Sequence, residues 1–158
     1  MQDYMSCVDT IDENGGRVLR YLDSTNLTNN TVVMYTSDQG FYLGENGWFD
    51  KRVMYEESFN TPLVMRWPGR IAKRSINKEL VQNIDFAPTI LTMTQTPVPE
   101  WMQGVNLLSK PLNRPYLYYH YYELSKDHTV LPHLGIRGDR YKLIYFYTVN
   151  EWELYDLQ

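Results

Sequence analysis

A single cysteine, Cys7, among 158 residues excludes any disulfide within the chain and leaves the redox compartment undecided. No apolar run is long enough to cross a bilayer as a helix. Basic residues are few and scattered, 15 Lys and Arg against 19 Asp and Glu for a net charge of −4, so the clustered positive footprint of a nucleic-acid binder is missing. No internal repeat or low-complexity segment interrupts the chain. What is present is apolar and aromatic: 43% hydrophobic and 15% aromatic residues suffice for one core with a small subdomain and exclude disorder.

Apolar periodicity gives the organisation. Tyr4, Val8, Ile11, Gly15, Val18 and Leu22 recur at three- and four-residue steps and predict an amphipathic helix from about Gln2 to Asp23, with Cys7 as a small residue at the margin of its stripe. Asn26-Leu27-Thr28 and Asn29-Asn30-Thr31 fit the glycosylation sequon and read as polar turn residues. The run Asn30 to Thr36 is β-branched and uninterrupted, which predicts a strand buried on both faces in a parallel sheet. A long glycine-punctuated loop follows from Gly40 to Asn60, then a second buried strand from Thr61 to Trp67 closed by Pro68-Gly69. Asp85 is placed to cap a helix with Pro88 in its first turn and Phe86, Ile90, Leu91 and Met93 for burial. Pro97, Pro99, Pro111 and Pro115 break up a linker. Beyond it Tyr116–Tyr122, His133–Arg137, Tyr141–Tyr147 and Trp152–Leu157 read as four aromatic-rich strands of an antiparallel sheet, with a tight turn at Gly138-Asp139.

The densest chemistry lies at Thr36-Ser37-Asp38-Gln39-Gly40 and the following Gly44-Glu45-Asn46-Gly47-Trp48-Phe49-Asp50-Lys51-Arg52. A carboxylate and an amide oxygen stand just past a strand end, where open α/β sheets place ligands, with a cation shortly after. Hard oxygen donors of this kind suit calcium or magnesium better than zinc. Two of them fall far short of the six to eight that calcium usually takes, so this chain alone is expected to bind metal weakly or not at all.

These segments, together with Tyr55-Glu56-Glu57-Ser58, Thr61-Pro62-Leu63-Val64, Ile84-Asp85-Phe86-Ala87-Pro88-Thr89-Ile90-Leu91, Met102-Gln103-Gly104, Gly135 to Ile144 and Glu153-Leu154-Tyr155-Asp156-Leu157, resemble in order the second half of a type I, formylglycine-dependent sulfatase of the alkaline phosphatase superfamily. The resemblance implies an α/β fold: part of a sulfatase-like mixed sheet with helices over residues 1–113, and a small C-terminal antiparallel β-subdomain over 114–158. It implies hydrolysis of sulfate esters of carbohydrates by a protein that is periplasmic or secreted when complete. Calcium is the implied cofactor, with Asp38 and Gln39 as metal ligands. Lys51 is the implied catalytic cation, contacting sulfate; without the resemblance it reads as a surface lysine paired with Asp50. Arg52, Glu56 and Glu57 read as loop scaffolding.

Two departures from the family pattern matter. The nucleophile of such enzymes is a formylglycine made from Cys/Ser-x-Pro-x-Arg, upstream of the metal motif. Ser6-Cys7-Val8-Asp9-Thr10 has neither the Pro nor the Arg, and Ser109-Lys110-Pro111-Leu112-Asn113 has Asn113 at the Arg position and lies downstream. The family's N-terminal metal-binding aspartates are missing as well, so the chain is expected to be the C-terminal portion of a longer enzyme and inactive alone. The second departure is Asn46, where related sequences commonly carry His; it reads equally as a substrate-binding replacement that cannot shuttle protons and as a turn residue.

Among the histidines, His120 reads as a packed or partly exposed strand residue and His128 as a loop residue, while the resemblance places His133 near the substrate end of the subdomain. The tyrosine run Tyr118 to Tyr122 suits either sugar stacking or a strand core. Two other functions stay open: a non-catalytic module, and a phosphodiesterase or phosphonate hydrolase on the same metal platform, against which Gln39 counts because two-zinc enzymes favour His there. Partners are a sulfated carbohydrate in the complete protein and no nucleic acid or membrane. An exposed half-site is also expected to make the chain self-associate.

Overall fold

The computed structural model describes residues 2–124 and 129–158, so His128 lies outside the described residues, as does Met1. The chain divides into two compact units, Met1–Ser37 with Pro62–Ile76, and Asp38–Thr61 with Asn77–Gln158.

The first unit holds helix α1 (Gln2–Ser24), strand β1 (Val33–Thr36) and strand β4 (Leu63–Arg66). Helix α1 has the predicted extent, but none of its residues is fully buried. Tyr4, Val8, Ile11 and Val18 of the apolar stripe are exposed, and so is Cys7. The strands also differ from expectation. β1 pairs antiparallel with β4, in register Val33↔Arg66 to Thr36↔Leu63, and the two form a two-stranded sheet. Tyr35 and Val64 are exposed and their neighbours half-buried. A continuous apolar run encodes two faces that can be covered; it carries no information on strand direction or on what covers them.

The second unit is built on a four-stranded antiparallel sheet, β5 (Leu117–Tyr121), β6 (His133–Arg137), β7 (Tyr141–Phe146) and β8 (Glu151–Asp156), in sequence order. All four strands match the expectation to within about two residues, and the Gly138 amide closes the β6–β7 turn by donating to the Tyr141 carbonyl at 2.8 Å. Register sorts the two faces. Leu117, Arg137, Lys142 and Tyr155 form one row and Tyr119, Gly135, Ile144 and Glu153 the next. From this face Leu117, His133, Lys142 and Ile144 are buried, while Tyr118, Ile136, Trp152 and Leu154 of the opposite face are exposed.

The segment expected as a loop from Gly40 to Asn60 is structured. It contains the short hairpin β2 (Tyr42–Leu43) and β3 (Phe49–Asp50), a 3-10 turn at Glu45–Gly47 and the single-turn helix α2 (Glu56–Phe59). Its Tyr42, Val53 and Met54 are buried and join Leu117, Val130 and Ile144 in the core. Gly135 makes this packing possible: a Cβ there would sit 2.7 Å from the Met54 sulfur and 2.5 Å from the Leu143 carbonyl oxygen. The aromatic and apolar residues between the glycines therefore anchor the segment.

Helix α3 (Phe86–Met93) forms where expected, with Pro88 buried in its first turn. Two details differ. Ile90 is exposed and Thr89 takes the buried position, its hydroxyl accepting the Leu107 amide at 2.9 Å and donating to the Asp85 carbonyl at 2.6 Å. Asp85 makes no side-chain cap on α3. Its fully buried carboxylate instead accepts the amides of Gln82 at 2.8 Å and Val105 at 2.9 Å and the two terminal guanidinium nitrogens of Arg114. A buried carboxylate beside an Arg gains more from ionic hydrogen bonds than from one neutral cap.

Candidate functional site

Asp38, Gln39 and Lys51 all lie in the second unit and are tied together through the backbone. The Gly40 amide donates to the Ser58 carbonyl at 2.8 Å, and the Ser58 hydroxyl donates to the Lys51 carbonyl at 2.5 Å. Ser58 is buried on α2, so one residue fixes the chain immediately after Gln39 and the chain at Lys51. A Cβ on Gly40 would stand 1.9 Å from the Glu57 carbonyl oxygen, which is why the Ser-Asp-Gln-Gly segment ends in glycine. On its other side, Asn83 donates its amide to the Asp38 carbonyl at 2.6 Å.

Asp38 is exposed and one carboxylate oxygen accepts the Gln39 amide at 3.0 Å. Asp38 and Gln39 present oxygen donors of the hard type. Among the described residues no group of three or more His, Cys, Asp or Glu gathers to hold a metal ion. The donor set thus fits part of a calcium shell and calls for further oxygens from outside it.

Lys51 is exposed, and the alternative pairing with Asp50 is not made: Asp50 pairs with Arg52. Among the described residues the Lys51 ammonium has no carboxylate partner. The Arg52 side chain serves the loop, as expected. Asn46 sits in the 3-10 turn with φ 55° and ψ 18°, a left-handed conformation that Asn tolerates better than most residues, so its turn role is met by the backbone itself. Its side chain is exposed.

His133 is fully buried among Tyr119, Tyr121 and Phe146, with ring centroids 5.7, 5.4 and 5.0 Å away. Its Nδ1 lies 2.8 Å from the Leu131 carbonyl oxygen, which can only accept, so Nδ1 carries the proton. Burial pushes this imidazole below its ordinary value, more than the Leu131 contact raises it, and the ring is neutral at pH 7. The remaining Nε2 is a buried acceptor without a partner among the described residues. His120 is a partly exposed strand residue, as read from the sequence, its ring tilted 31° against that of Tyr122 with centroids 3.6 Å apart.

Several supporting residues were not singled out by sequence reasoning. Tyr42 donates its hydroxyl to the Val53 carbonyl and accepts the Tyr55 amide at 3.2 Å, and burial pushes this phenol up to about 12, so it stays a donor. Tyr55 and Tyr155 both donate to Glu153, at 3.1 and 2.7 Å, linking the segment to β8. Lys142, 1% exposed, points its ammonium at the Met54 carbonyl and Glu56. Strand alternation carries the signal for Lys142, since it shares a face with Ile144 and Phe146. Ser58 closes the Tyr55-Glu56-Glu57-Ser58 segment, which names no role for it, and nothing in the sequence marks Asn83.

Comparison with known proteins shows the family and the fold. The family described as N-sulphoglucosamine sulphohydrolase, C-terminal, matches residues 44–158. The chain is 46% identical to the N-acetylglucosamine-6-O-sulfatase of Bacteroides thetaiotaomicron over all of its own length and 30% of that protein's. It superposes with a TM-score of 0.90 and 46% identity on a solved structure holding its substrate, D-glucosamine-2-N,6-O-disulfate, covering 95% of this chain and 32% of that one. A phosphonate monoester hydrolase of Silicibacter pomeroyi superposes with a TM-score of 0.82 over 94% of this chain and 33% of that one; at 24% identity this shows a shared fold alone. The chain thus spans about a third of the length of the relatives it matches.

Proposed function

The chain belongs to the sulfatase family of the alkaline phosphatase superfamily, as the C-terminal region of such a protein, and from that premise we propose that it completes an enzyme hydrolysing the 6-O-sulfate of glucosamine-type sugars. The observation that carries the reading is the 46% identity over the full chain to an N-acetylglucosamine-6-O-sulfatase, supported by the braces that hold Asp38, Gln39 and Lys51 in one unit. The mixed sheet and a subdomain boundary near Asn113 belong to the same proposal.

In this mechanism Asp38 and Gln39 would hold calcium by a carboxylate and an amide oxygen, with magnesium the poorer fit. The ion, when bound, neutralises charge on sulfate oxygens. Lys51 donates from its ammonium to a sulfate oxygen and stabilises the charge that grows as the sugar alkoxide leaves. Asn46 is assigned to the substrate side through its exposed amide; His133 keeps a substrate-side assignment on the resemblance alone, its ring being fully buried in this chain. The 158 residues contain no Cys/Ser-x-Pro-x-Arg, so the nucleophile is assigned to other sequence of the enzyme.

The test is sulfate release by the complete enzyme from N-acetylglucosamine-6-sulfate compared with 2-O- and 4-O-sulfated sugars and a phosphonate ester. Preference for the 6-O-sulfate is expected, and the 158-residue chain alone is expected to turn over no aryl sulfate. Faster release from the phosphonate ester would favour the hydrolase alternative. No activity on any ester would favour a non-catalytic module. Self-association of the isolated chain also belongs to this proposal, and a monomeric sedimentation profile at high concentration counts against it.

A further inference from the structure

Lys142 is an ammonium where an apolar residue would pack. It stands on β7 in the face shared with Ile144 and is 1% exposed. Taking a charge out of water is costly unless its partners are well placed, and a methionine would fill the same space without that cost. The partners lie on one short segment: the Nζ donates to the Met54 carbonyl at 2.7 Å, pairs with Glu56 and lies 4.8 Å from the centroid of the Phe59 ring. Arg137, from β6, donates to the other Glu56 oxygen at 3.4 Å. Burial pushes the Lys142 ammonium down while Glu56 pulls it back up; the Glu56 carboxyl, pushed up by burial, ends below the usual range because Lys142 and Arg137 outweigh that push.

The segment so held, residues 54–59, contains Ser58, whose hydroxyl and carbonyl fix the backbone at Lys51 and Gly40. We propose that Lys142 is a positioning residue: through Glu56, Met54 and α2 it fixes the site cation Lys51, so the C-terminal sheet sets the geometry of the sulfate site as well as flanking it. This rests on the reading of Lys51 as a sulfate contact.

The experiment is a double-mutant cycle in the complete enzyme, pairing Lys142→Met with Lys51→Ala and reading kcat and KM on a sulfate ester, with folding checked by thermal melting. A misplacement of about 1 Å costs on the order of 100-fold, so Lys142→Met is expected to lower kcat by about 10- to 100-fold in the native background and by less than about twofold when Lys51 is already alanine. If Lys142→Met does not fold, Glu56→Gln removes the same ion pair at constant volume and is read in the same cycle. Equal losses in both backgrounds, or no loss in the native one, overturn the positioning role. If Lys51→Ala alone leaves kcat unchanged, the sulfate-contact reading itself falls and takes this inference with it, an outcome distinct from additivity.

Discussion

Replacing Lys51 with alanine is expected to reduce turnover of the complete enzyme by about two orders of magnitude or more, the usual loss when one donor to a developing oxyanion is removed. Three features of the structure favour so large an effect. The residue's only acidic neighbour in sequence, Asp50, is taken by Arg52, so the ammonium is not neutralised by an internal pair among the described residues. Its backbone is held by a buried serine, which spares the enzyme an ordering step as charge develops. A compact ammonium with rotatable donors also suits a tetrahedral oxyanion better than a planar guanidinium, so Lys51→Arg is expected to recover only part of the loss. Because Lys51 is exposed, alanine there should leave stability within about 0.5 kcal/mol of the native value, which separates a catalytic effect from a folding one. The measurement is kcat on a 6-O-sulfated sugar beside a urea melt. A loss smaller than about tenfold with an unchanged melt would remove Lys51 from its assigned role.

The residues proposed for the site stand out because they are local in sequence. Ser37-Asp38-Gln39-Gly40 and Phe49-Asp50-Lys51-Arg52 are short runs whose composition states what they can bind. The C-terminal strands were legible for a similar reason: each is a run of five or six residues set off by turn residues, aromatic-rich in all but β6, and nearest-neighbour antiparallel pairing follows. What periodicity could not supply was tertiary. The same apolar run that identified β1 left its direction open, and the stripe of α1 identified a helix without identifying what covers it. The Gly40 to Asn60 segment read as a loop because its elements are two to four residues long, below the length at which a period can be counted. Asp85 looked like a cap since its partner Arg114 stands 29 positions away. Lys142 and Glu56 are 86 positions apart by number, and only the alternation of β7 hinted that the lysine points inward.

The second large effect concerns stability. Arg114→Ala is expected to destabilise the chain by about 3 to 5 kcal/mol, the range for removing one partner of a buried ion pair, against a total of roughly 5 to 15 kcal/mol for a typical domain. The Asp85 carboxylate is fully buried, and Arg114, 13% exposed, grips it with two nitrogens at 2.5 and 2.7 Å while also reaching the Leu80 carbonyl. Without the guanidinium, two backbone amides remain but the charge has no counterion. The pH dependence carries a definite sign. Burial pushes Asp85 up, but Arg114 and the amides of Val105 and Gln82 outweigh it and hold the folded value below the ordinary 3.8. A carboxyl depressed in the folded state contributes its full stability above the unfolded value and loses it as pH falls through the folded one. In the alanine variant burial acts with less opposition, so its carboxyl rises and protonation relieves the penalty. The gap between native and variant urea midpoints should therefore be widest near neutral pH and narrow below about pH 4. The variant should also lose activity at temperatures where it remains folded, since the Asp85 turn carries Asn83, whose amide holds the Asp38 backbone at 2.6 Å. Urea unfolding at neutral and acidic pH measures the gap; a destabilisation under about 1 kcal/mol at neutral pH would show that the pair is dispensable to this fold, and a gap constant across the range would show that the loss does not come from the Asp85 charge.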